Sequence, residues 1–515
     1  GLFYLNFKVM EYFCIMQNNP QMTLNRLRKH SKNLNFKFKR LYSNLYSIDF
    51  YRLAFSNIYK NKKKIDLQLE NKINKTIEEL KNGSFQPTNI WGNNSQSVVD
   101  KLIQEIIRMI LSAIYETTFS ERSYGFRQNR DPHDALNVVR NQFKGSAWFI
   151  TYDLRNEFDV LDHHVLFTIL RERISDLRFI HLINIFAKSG YLNKWVDDKT
   201  YSQTPLSGSI LAPILSNIFF DKLDKFVEEN IDHFTAGKRR PTNKDYHNKV
   251  CLISYYRKRY EKTKRIDYLN QLKKIKKEIR KWNQPTQDVM NDNYKRLFYI
   301  RYANKILVGM NLHRFDVEDF NNRIRTFICN VLSIDKPSYK IYHNSENIPF
   351  LGYEIVSVRH SQSKFENGNI RLSVPTTELF SFILSNNFGK WWNNPKSNKD
   401  ELKPLPLLSL VNYSEYKILS YYNLQIKNIY NYYILAENVY KIGRFWYILQ
   451  RSFLKTLCTK YRKQSTFFYK NKRYCQNKRV GISINDLFIP LFYGPFEKKF
   501  FSYFVDFKIS KRVFH

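Results

Sequence analysis

Cysteine is sparse and poorly placed for pairing. Cys14, Cys251, Cys329, Cys458 and Cys475 are widely scattered, and no two form a CxxC pair. That spacing excludes a zinc knuckle and a disulfide framework, and it fits a reducing compartment. Long apolar runs are missing as well. Leu2–Met16 is interrupted by Asn6, Lys8 and Glu11, and Leu487–Phe507 by Pro490, Gly494, Pro495 and Lys498. Neither supplies the roughly 18 clean apolar residues of a membrane-spanning helix. No internal repeat and no convincing transit peptide is visible. The chain opens on Gly1 rather than Met, as expected of a processed chain or one continuing an upstream reading frame. Acidic residues are short too: 46 Asp plus Glu stand against 84 Lys plus Arg, a formal net charge of +38 over 515 residues.

Such an excess adds nothing to core packing, and its self-repulsion costs stability. The ordinary remedy is a polyanion, because each cation that neutralises a phosphate releases condensed counterions. Apolar residues at 43% exclude a disordered basic tail. The length allows two to four domains. Aromatics reach 16%, with 41 Phe and 36 Tyr, many beside Lys or Arg; most are expected in the core and some against bases. Glycine is scarce at 15, whereas Lys, Asn, Ile, Tyr and Phe abound. All five have AT-rich codons, which points to an AT-rich, organellar genome.

Residues 1–70 read as a basic helical extension. A helix is expected over Lys72–Asn82, stopped by Gly83. Another runs from Ser97 to Tyr115, with Ile103, Ile106, Ile107, Ile110, Leu111 and Ile114 on one face. Ala147–Tyr152 reads as a buried strand, with a helix near His164–Ile174. A second region is expected to begin at Lys222–Glu229. Lys238–Trp282 reads as a basic helical insertion with 17 Lys or Arg against 4 Asp or Glu. Such a run is either a solvated surface hairpin or an arm that tracks phosphates. Phe298–Tyr302 and Ile306–Val308 flank a tight turn and read as a β-hairpin. A helix over Asp316–Leu332 and a strand at Phe350–Ser357 follow. The Pro and Asn cluster at Asn386–Pro406 is the clearest linker signal. Tyr416–Arg462 is strongly helical.

Six segments, in order, carry a resemblance. They are Gly83-Ser84-Phe85-Gln86-Pro87; Phe119–Arg127 with His133-Asp134-Ala135; Trp148–Asp153 with Phe158-Asp159 and Leu161-Asp162-His163; Thr204-Pro205 with Pro213–Ile218; Arg301-Tyr302-Ala303; and Phe350-Leu351-Gly352-Tyr353. Together they resemble the group II intron reverse transcriptase/maturase family, over about residues 70–465. Tyr421-Tyr422-Asn423, Asn431-Tyr432-Tyr433, Ala436-Glu437-Asn438, Ser452, Thr456-Leu457 and Lys460 are similar to that family's thumb, domain X. If Glu437–Tyr461 is one helix, Lys441, Arg444, Arg451 and Lys455 share a face, and Ile442, Phe445, Trp446, Leu449 and Leu457 share another. No acid in that helix after Glu437 balances those cations.

The resemblance implies two-metal nucleotide transfer, with magnesium held by one Asp ending the first palm strand and two adjacent Asp in a Y-A-D-D turn. Asp153 supplies the first. The turn reads Tyr302-Ala303-Asn304-Lys305, so both paired carboxylates are gone. At about 4 Å and an effective dielectric near 20, unit charges repel by about 4 kcal/mol, about doubled for a divalent ion. The retained Asp153 is expected to pair with Lys305, and Asp159 and Asp162 to cap the following helix. The family's Q-G segment reads Leu206-Ser207-Gly208, and the R-P-L-G-I-P strand is missing after Asn89-Ile90-Trp91-Gly92. No H-N-H nuclease pattern follows; Lys470, Lys472, Arg473, Lys478 and Arg479 form a basic patch instead.

The implied fold is α/β (α+β): a helical extension over 1–70, degenerate reverse transcriptase fingers and palm over 71–375 with the insertion 238–282, an all-helical thumb over 376–465, and a basic tail over 466–515. The implied function is a non-catalytic maturase that stabilises folded group II intron RNA in the mitochondrial matrix. No cofactor, no bound metal and no membrane is expected. Alternatives are an RNA-binding subunit of an organellar ribonucleoprotein such as the mitochondrial ribosome, and a residual RNA-directed DNA polymerase. The residues expected to touch RNA are Arg239, Arg240, Arg257, Lys258, Arg259, Lys273, Lys274, Lys276 and Lys277 in the arm, and Lys441, Arg444, Arg451, Lys455 and Lys460 in the thumb.

Overall fold

The computed structural model describes residues 19–59, 65–88, 97–154, 163–191, 209–237, 240–282, 294–335, 337–358, 368–394, 399–471, 473–476, 479–484 and 487–491. The chain divides into two compact units, one of residues up to 345 with 358–369, the other mainly of 346–357 and 370 onward. Helix and sheet are mixed in both.

The first unit opens with α1 (Pro20–Ser31) and α2 (Ile48–Ile58), followed by α3 (Leu67–Asn82) and α4 (Val98–Tyr115). Gly83 ends α3 at φ +73°, so Ser84 N–H reaches back to the Glu79 carbonyl at 3.0 Å. Glycine takes that left-handed cap without steric cost. Ser97 caps α4 by accepting from Val99 N–H. The six apolar residues read from periodicity along α4 are all fully buried. Truncating Ile106 to Ala would cost about 2–5 kcal/mol in transfer and cavity terms.

After α5 (Pro132–Gln142) comes β1 (Trp148–Asp153), then α6 (His163–Arg173), α7 (Leu177–Phe186) and α8 (Ala212–Ile231). Lys222–Glu229 therefore starts no new region; it lies inside α8, whose apolar face runs unbroken from Leu215 to Val227. A hairpin of two long helices follows, α9 (Lys244–Thr263) and α10 (Ile266–Arg280). No residue of α9 is buried, and α10 buries only Leu272 and Ile275. Then β2 (Arg296–Tyr302) and β3 (Lys305–Asn311) form a tight hairpin, with α11 (Arg314–Val331) and β4 (Tyr339–His343) after it. The sheet order is β2-β3-β1-β4, antiparallel throughout. Ile150, Tyr152, Ile306 and Val308 join the main core with residues of α8 and α11.

The second unit corrects four expectations. Phe350–Ser357 is not one strand: β5 (Ile348–Phe350) turns at Leu351-Gly352 into β6 (Tyr353–Ser357), which pairs β7 (Ile370–Ser373). Gly352 takes φ +70° there. Past α12 (Thr376–Ser385), the presumed linker is an antiparallel hairpin of β8 (Gly389–Asn394) and β9 (Lys399–Pro404). Residues 376–465 are accordingly not all-helical. The helix expected from Glu437 starts later: α13 (Glu415–Tyr432) is followed by a short 3-10 turn and α14 (Ile442–Tyr461). Beyond it lie α15 (Ser465–Lys470) and a small sheet of β10 (Cys475–Gln476), β11 (Arg479–Ile484) and β12 (Leu487–Pro490). Among the described residues no helix is long and apolar enough to cross a membrane.

Candidate nucleic-acid interface and the β2–β3 turn

The β2–β3 turn is two residues long, Ala303 and Asn304, and Ala303 takes φ +54°. A non-glycine residue there is strained and persists only when its surroundings hold it. The holding frame is visible. Gly125 packs against the turn so closely that a Cβ added there would fall 2.1 Å from Ala303 N. Arg301, fully buried one residue before Tyr302, donates to the Ala303 carbonyl at 2.8 Å. The same guanidinium forks onto Asp224 of α8, Nε to Oδ1 at 2.8 Å and Nη2 to Oδ2 at 2.6 Å. It also donates to Asn217 Oδ1 at 3.0 Å and Ser123 Oγ at 2.7 Å. Asn217 in turn donates to the Gly125 carbonyl at 2.8 Å, and Tyr299 hydroxyl donates to Asp224 at 2.7 Å.

Burial works against the Arg301 cation, but the Asp224 carboxylate outweighs it and raises its pKa. Burial, followed by the neighbouring Asp224 charge, holds the Tyr299 phenol neutral far above its ordinary range. A fully buried ion pair is tolerable when its remaining hydrogen-bond needs are satisfied in this way.

Outside this frame the turn offers poor metal ligands. Asp153 on β1 sits directly across from Lys305 on β3. Leu154 N–H donates to the Asn304 backbone carbonyl at 3.0 Å, which fixes the turn against the end of β1. An amide and an ammonium beside one carboxylate do not fit two magnesium ions, which need several hard oxygen ligands. Among the described residues no three His, Cys, Asp or Glu side chains come together as a metal-holding group. Asp159, Asp162, Leu206-Ser207-Gly208 and Asn89–Gly92 lie outside the described residues.

The residues expected to touch RNA fall into two groups. Arg257, Lys258, Arg259, Lys273, Lys274, Lys276 and Lys277 are all exposed on the α9–α10 hairpin. The hairpin is tied by Lys249 to Glu278 at 2.6 Å. Arg240 differs from these: it is half-buried, donates to Asn311 at 2.6 Å and stacks over Tyr294. Arg239 lies outside the described residues. In the second group, Arg444 is exposed and lies over Phe380. Lys441 is partly exposed, and Arg451 lies over Tyr447. Lys455 donates to the Pro404 carbonyl at 2.8 Å, and Lys460 to the Val411 and Tyr413 carbonyls at 2.9 and 3.0 Å.

Comparison with known proteins gives this geometry a family. Profiles described as "Reverse transcriptase (RNA-dependent DNA polymerase)" and "Type II intron maturase" match residues 92–255 and 367–488. Over 476 residues the chain is 32% identical to "Group II intron-encoded protein LtrA" of Lactococcus lactis subsp. cremoris, covering 85% of this chain and 78% of that protein. The chain belongs to the group II intron reverse transcriptase/maturase family. It is also 30% identical over 407 residues to "Putative COX1/OXI3 intron 2 protein" of Saccharomyces cerevisiae, covering 74% of this chain and 44% of that protein. A further relative is "Nuclear intron maturase 2, mitochondrial" of Arabidopsis thaliana, 23% identical over 295 residues, covering 49% of this chain and 37% of that protein.

In this maturase-family chain the C-terminal motif residues make internal bonds. Tyr422 hydroxyl meets Ser452 Oγ at 2.8 Å and Thr456 Oγ1 at 3.0 Å, all buried between α13 and α14. Ser452 donates to the Leu405 carbonyl at 2.5 Å, and Thr456 accepts from Leu407 N–H at 2.9 Å. Tyr432 hydroxyl donates to the Leu351 carbonyl at 2.6 Å, Tyr433 hydroxyl to the Gly352 carbonyl at 3.0 Å, and Tyr353 hydroxyl to the Tyr432 carbonyl. Asn438 accepts from Val374 N–H at 2.7 Å. These motifs position the second unit's elements.

Sequence reasoning missed Asp224 as the partner of Arg301. One signal was available: Asn217 and Asp224 are seven residues apart, two helical turns on one face of α8.

Proposed function

We propose that this chain is an RNA-binding maturase that stabilises folded group II intron RNA for splicing and has lost reverse transcription. It works in the mitochondrial matrix, a reading supported by the relatives from mitochondrial introns and by one named a mitochondrial maturase. We assign fingers and palm to 71–375 and the thumb to 376–465. The observation that carries the reading is the β2–β3 turn. Its buried frame of Arg301, Asp224, Asn217 and Ser123 is complete, while the two positions after Ala303 carry an amide and an ammonium, the latter directly across from Asp153. A scaffold retained without its metal ligands fits a protein whose partner is still RNA.

The chain binds that RNA through phosphates and shape, using the exposed cations of the α9–α10 arm and those of α14. The RNA supplies the splicing chemistry. The reading is tested with the purified chain and a transcript of its cognate intron. The expected result is faster splicing at low magnesium with no primer extension in magnesium or manganese. Processive cDNA synthesis by the wild type overturns the loss of polymerase activity, and absence of intron binding overturns the maturase role.

A further inference from the structure

The β8–β9 hairpin carries two adjacent tryptophans, Trp391 and Trp392, exposed at 46% and 39%. Tryptophan is ordinarily highly buried, so two such rings on a surface hairpin are informative. They point to opposite faces of the ribbon. Trp391 meets Phe380 edge-on at 5.4 Å, and Arg444 lies over the Phe380 ring at 5.4 Å. Trp392 shares the other face with Lys390 and Lys403, which stand directly opposite each other in the register. The Lys403 ammonium lies 5.0 Å from the Trp392 ring centre.

Two lysines directly opposed across an antiparallel pair destabilise it. Further cations lie close by. The Lys455 pKa is lowered by burial first and then by the charges of Lys403 and Arg451. The hairpin also carries Asp400 and Glu401, Glu401 being opposite Trp392, so the cations are partly offset at that point. A bound anion relieves the lysine repulsion, and an open indole offers a surface for a flat ring. Phosphate joined to an unstacked base is a ligand with both parts.

We infer that the β8–β9 hairpin is a docking site for single-stranded RNA, with a base stacked on Trp392 and the adjoining phosphates on Lys390 and Lys403. This rests on the maturase reading and adds to it an unpaired segment of the RNA as the element bound.

The test uses the full chain and a 12-nucleotide oligouridylate containing 4-thiouridine. Irradiation is expected to join the RNA to the peptide holding Trp391 and Trp392. W392A is expected to weaken oligonucleotide binding about tenfold, as for loss of one stacked base. W392F keeps an aromatic surface and is expected to stay within about threefold of the wild type. K403E, at an exposed position, is expected to weaken binding and to flatten its salt dependence. Inorganic phosphate alone is expected to compete poorly; full competition by it would overturn the stacked base. Unchanged oligonucleotide binding by both W392A and K403E overturns the inference and leaves the hairpin to a protein partner. Binding of the cognate intron is measured in parallel. A wild type that binds the intron while these variants match it sinks only the hairpin site, whereas a wild type that ignores the intron sinks the maturase reading.

Discussion

Lys305 faces Asp153 across the antiparallel β1–β3 pair, at the end of the sheet where the β2–β3 turn closes. Opposed residues in such a pair lie close enough to interact directly. N304D/K305D would set three carboxylates at this corner in place of one acid, one amide and one cation. Like charges then oppose each other, and the double variant is expected to melt below the wild type in the absence of divalent ions. Millimolar magnesium is expected to raise its Tm by binding the folded state, while the wild-type Tm does not respond. The check is a pair of thermal melts with and without magnesium. A wild type stabilised by magnesium at Asp153 would contradict the reading of the turn.

Arg301 and Asp224 are both fully shielded from solvent. Breaking a buried pair from one side leaves an uncompensated charge, which costs about 3–5 kcal/mol. R301M is therefore expected to lower stability by about that amount and to release Ala303 from its strained conformation. Denaturant unfolding measures the first effect, and amide exchange at Leu154, which donates to Asn304, measures the second. D224N keeps the shape and loses the charge, and its stability is expected to fall between those of the wild type and R301M.

The turn and the Arg301 frame differ in how far the sequence exposed them. The turn was legible because a short break between apolar strands is a local pattern, although the sequence put Lys305 in the turn and the structure puts it on β3. Gly83 was legible for the same reason, as a helix stop set by its own neighbours. The Arg301 frame was not, because its partners lie 77, 84 and 178 residues away in the chain. The β8–β9 hairpin was misread because Pro and Asn dominate its flanks. Its strands carry Lys, Asn, Asp and Glu around the adjacent Trp391 and Trp392 rather than the alternating apolar residues that signal a core strand. The arm was legible as a charge run, yet charge alone gave no way to see that Arg240 turns inward to Asn311.

The α9–α10 hairpin can give up cations and keep its fold, because Lys273, Lys274, Lys276 and Lys277 are exposed. K273E/K274E/K276E/K277E is expected to leave Tm nearly unchanged. Intron affinity is expected to fall at physiological salt. The slope of log affinity against log salt is expected to shrink by about one for each phosphate no longer neutralised. Filter binding across a salt series reads both. An unchanged slope would mean that the arm faces solvent and not RNA.

Tyr422 joins α13 to α14 through Ser452 and Thr456, and burial holds its phenol up at about 12. Y422F removes the hydroxyl but keeps the ring. It is expected to cost about 1–3 kcal/mol, because two buried hydroxyls are each deprived of a partner. Urea unfolding of the variant, with its m-value unchanged, is the measurement. A neutral result would show that water takes the place of the phenol oxygen.

Lys455 gives a pH signature of definite sign. Its pKa is lowered from 10.5 by burial and then by Lys403 and Arg451. In the window between the folded value and 10.5 the unfolded chain binds more protons at this site than the folded one. The contribution of Lys455 to stability therefore rises with pH through that window, and below it the charged lysine is a cost. Tyrosines held neutral by burial, such as Tyr422, titrate with the opposite sign, so the comparison is wild type minus K455M. That difference is expected to climb through the alkaline range up to 10.5, where a lysine gives up its charge. K403M removes one repelling cation and is expected to move the Lys455 pKa upward, read directly from the pH dependence of its Cε resonance. RNA on the hairpin supplies phosphate near the same ammonium and is expected to move it in the same direction. A Lys455 resonance that ignores both K403M and RNA would separate this lysine from the hairpin site.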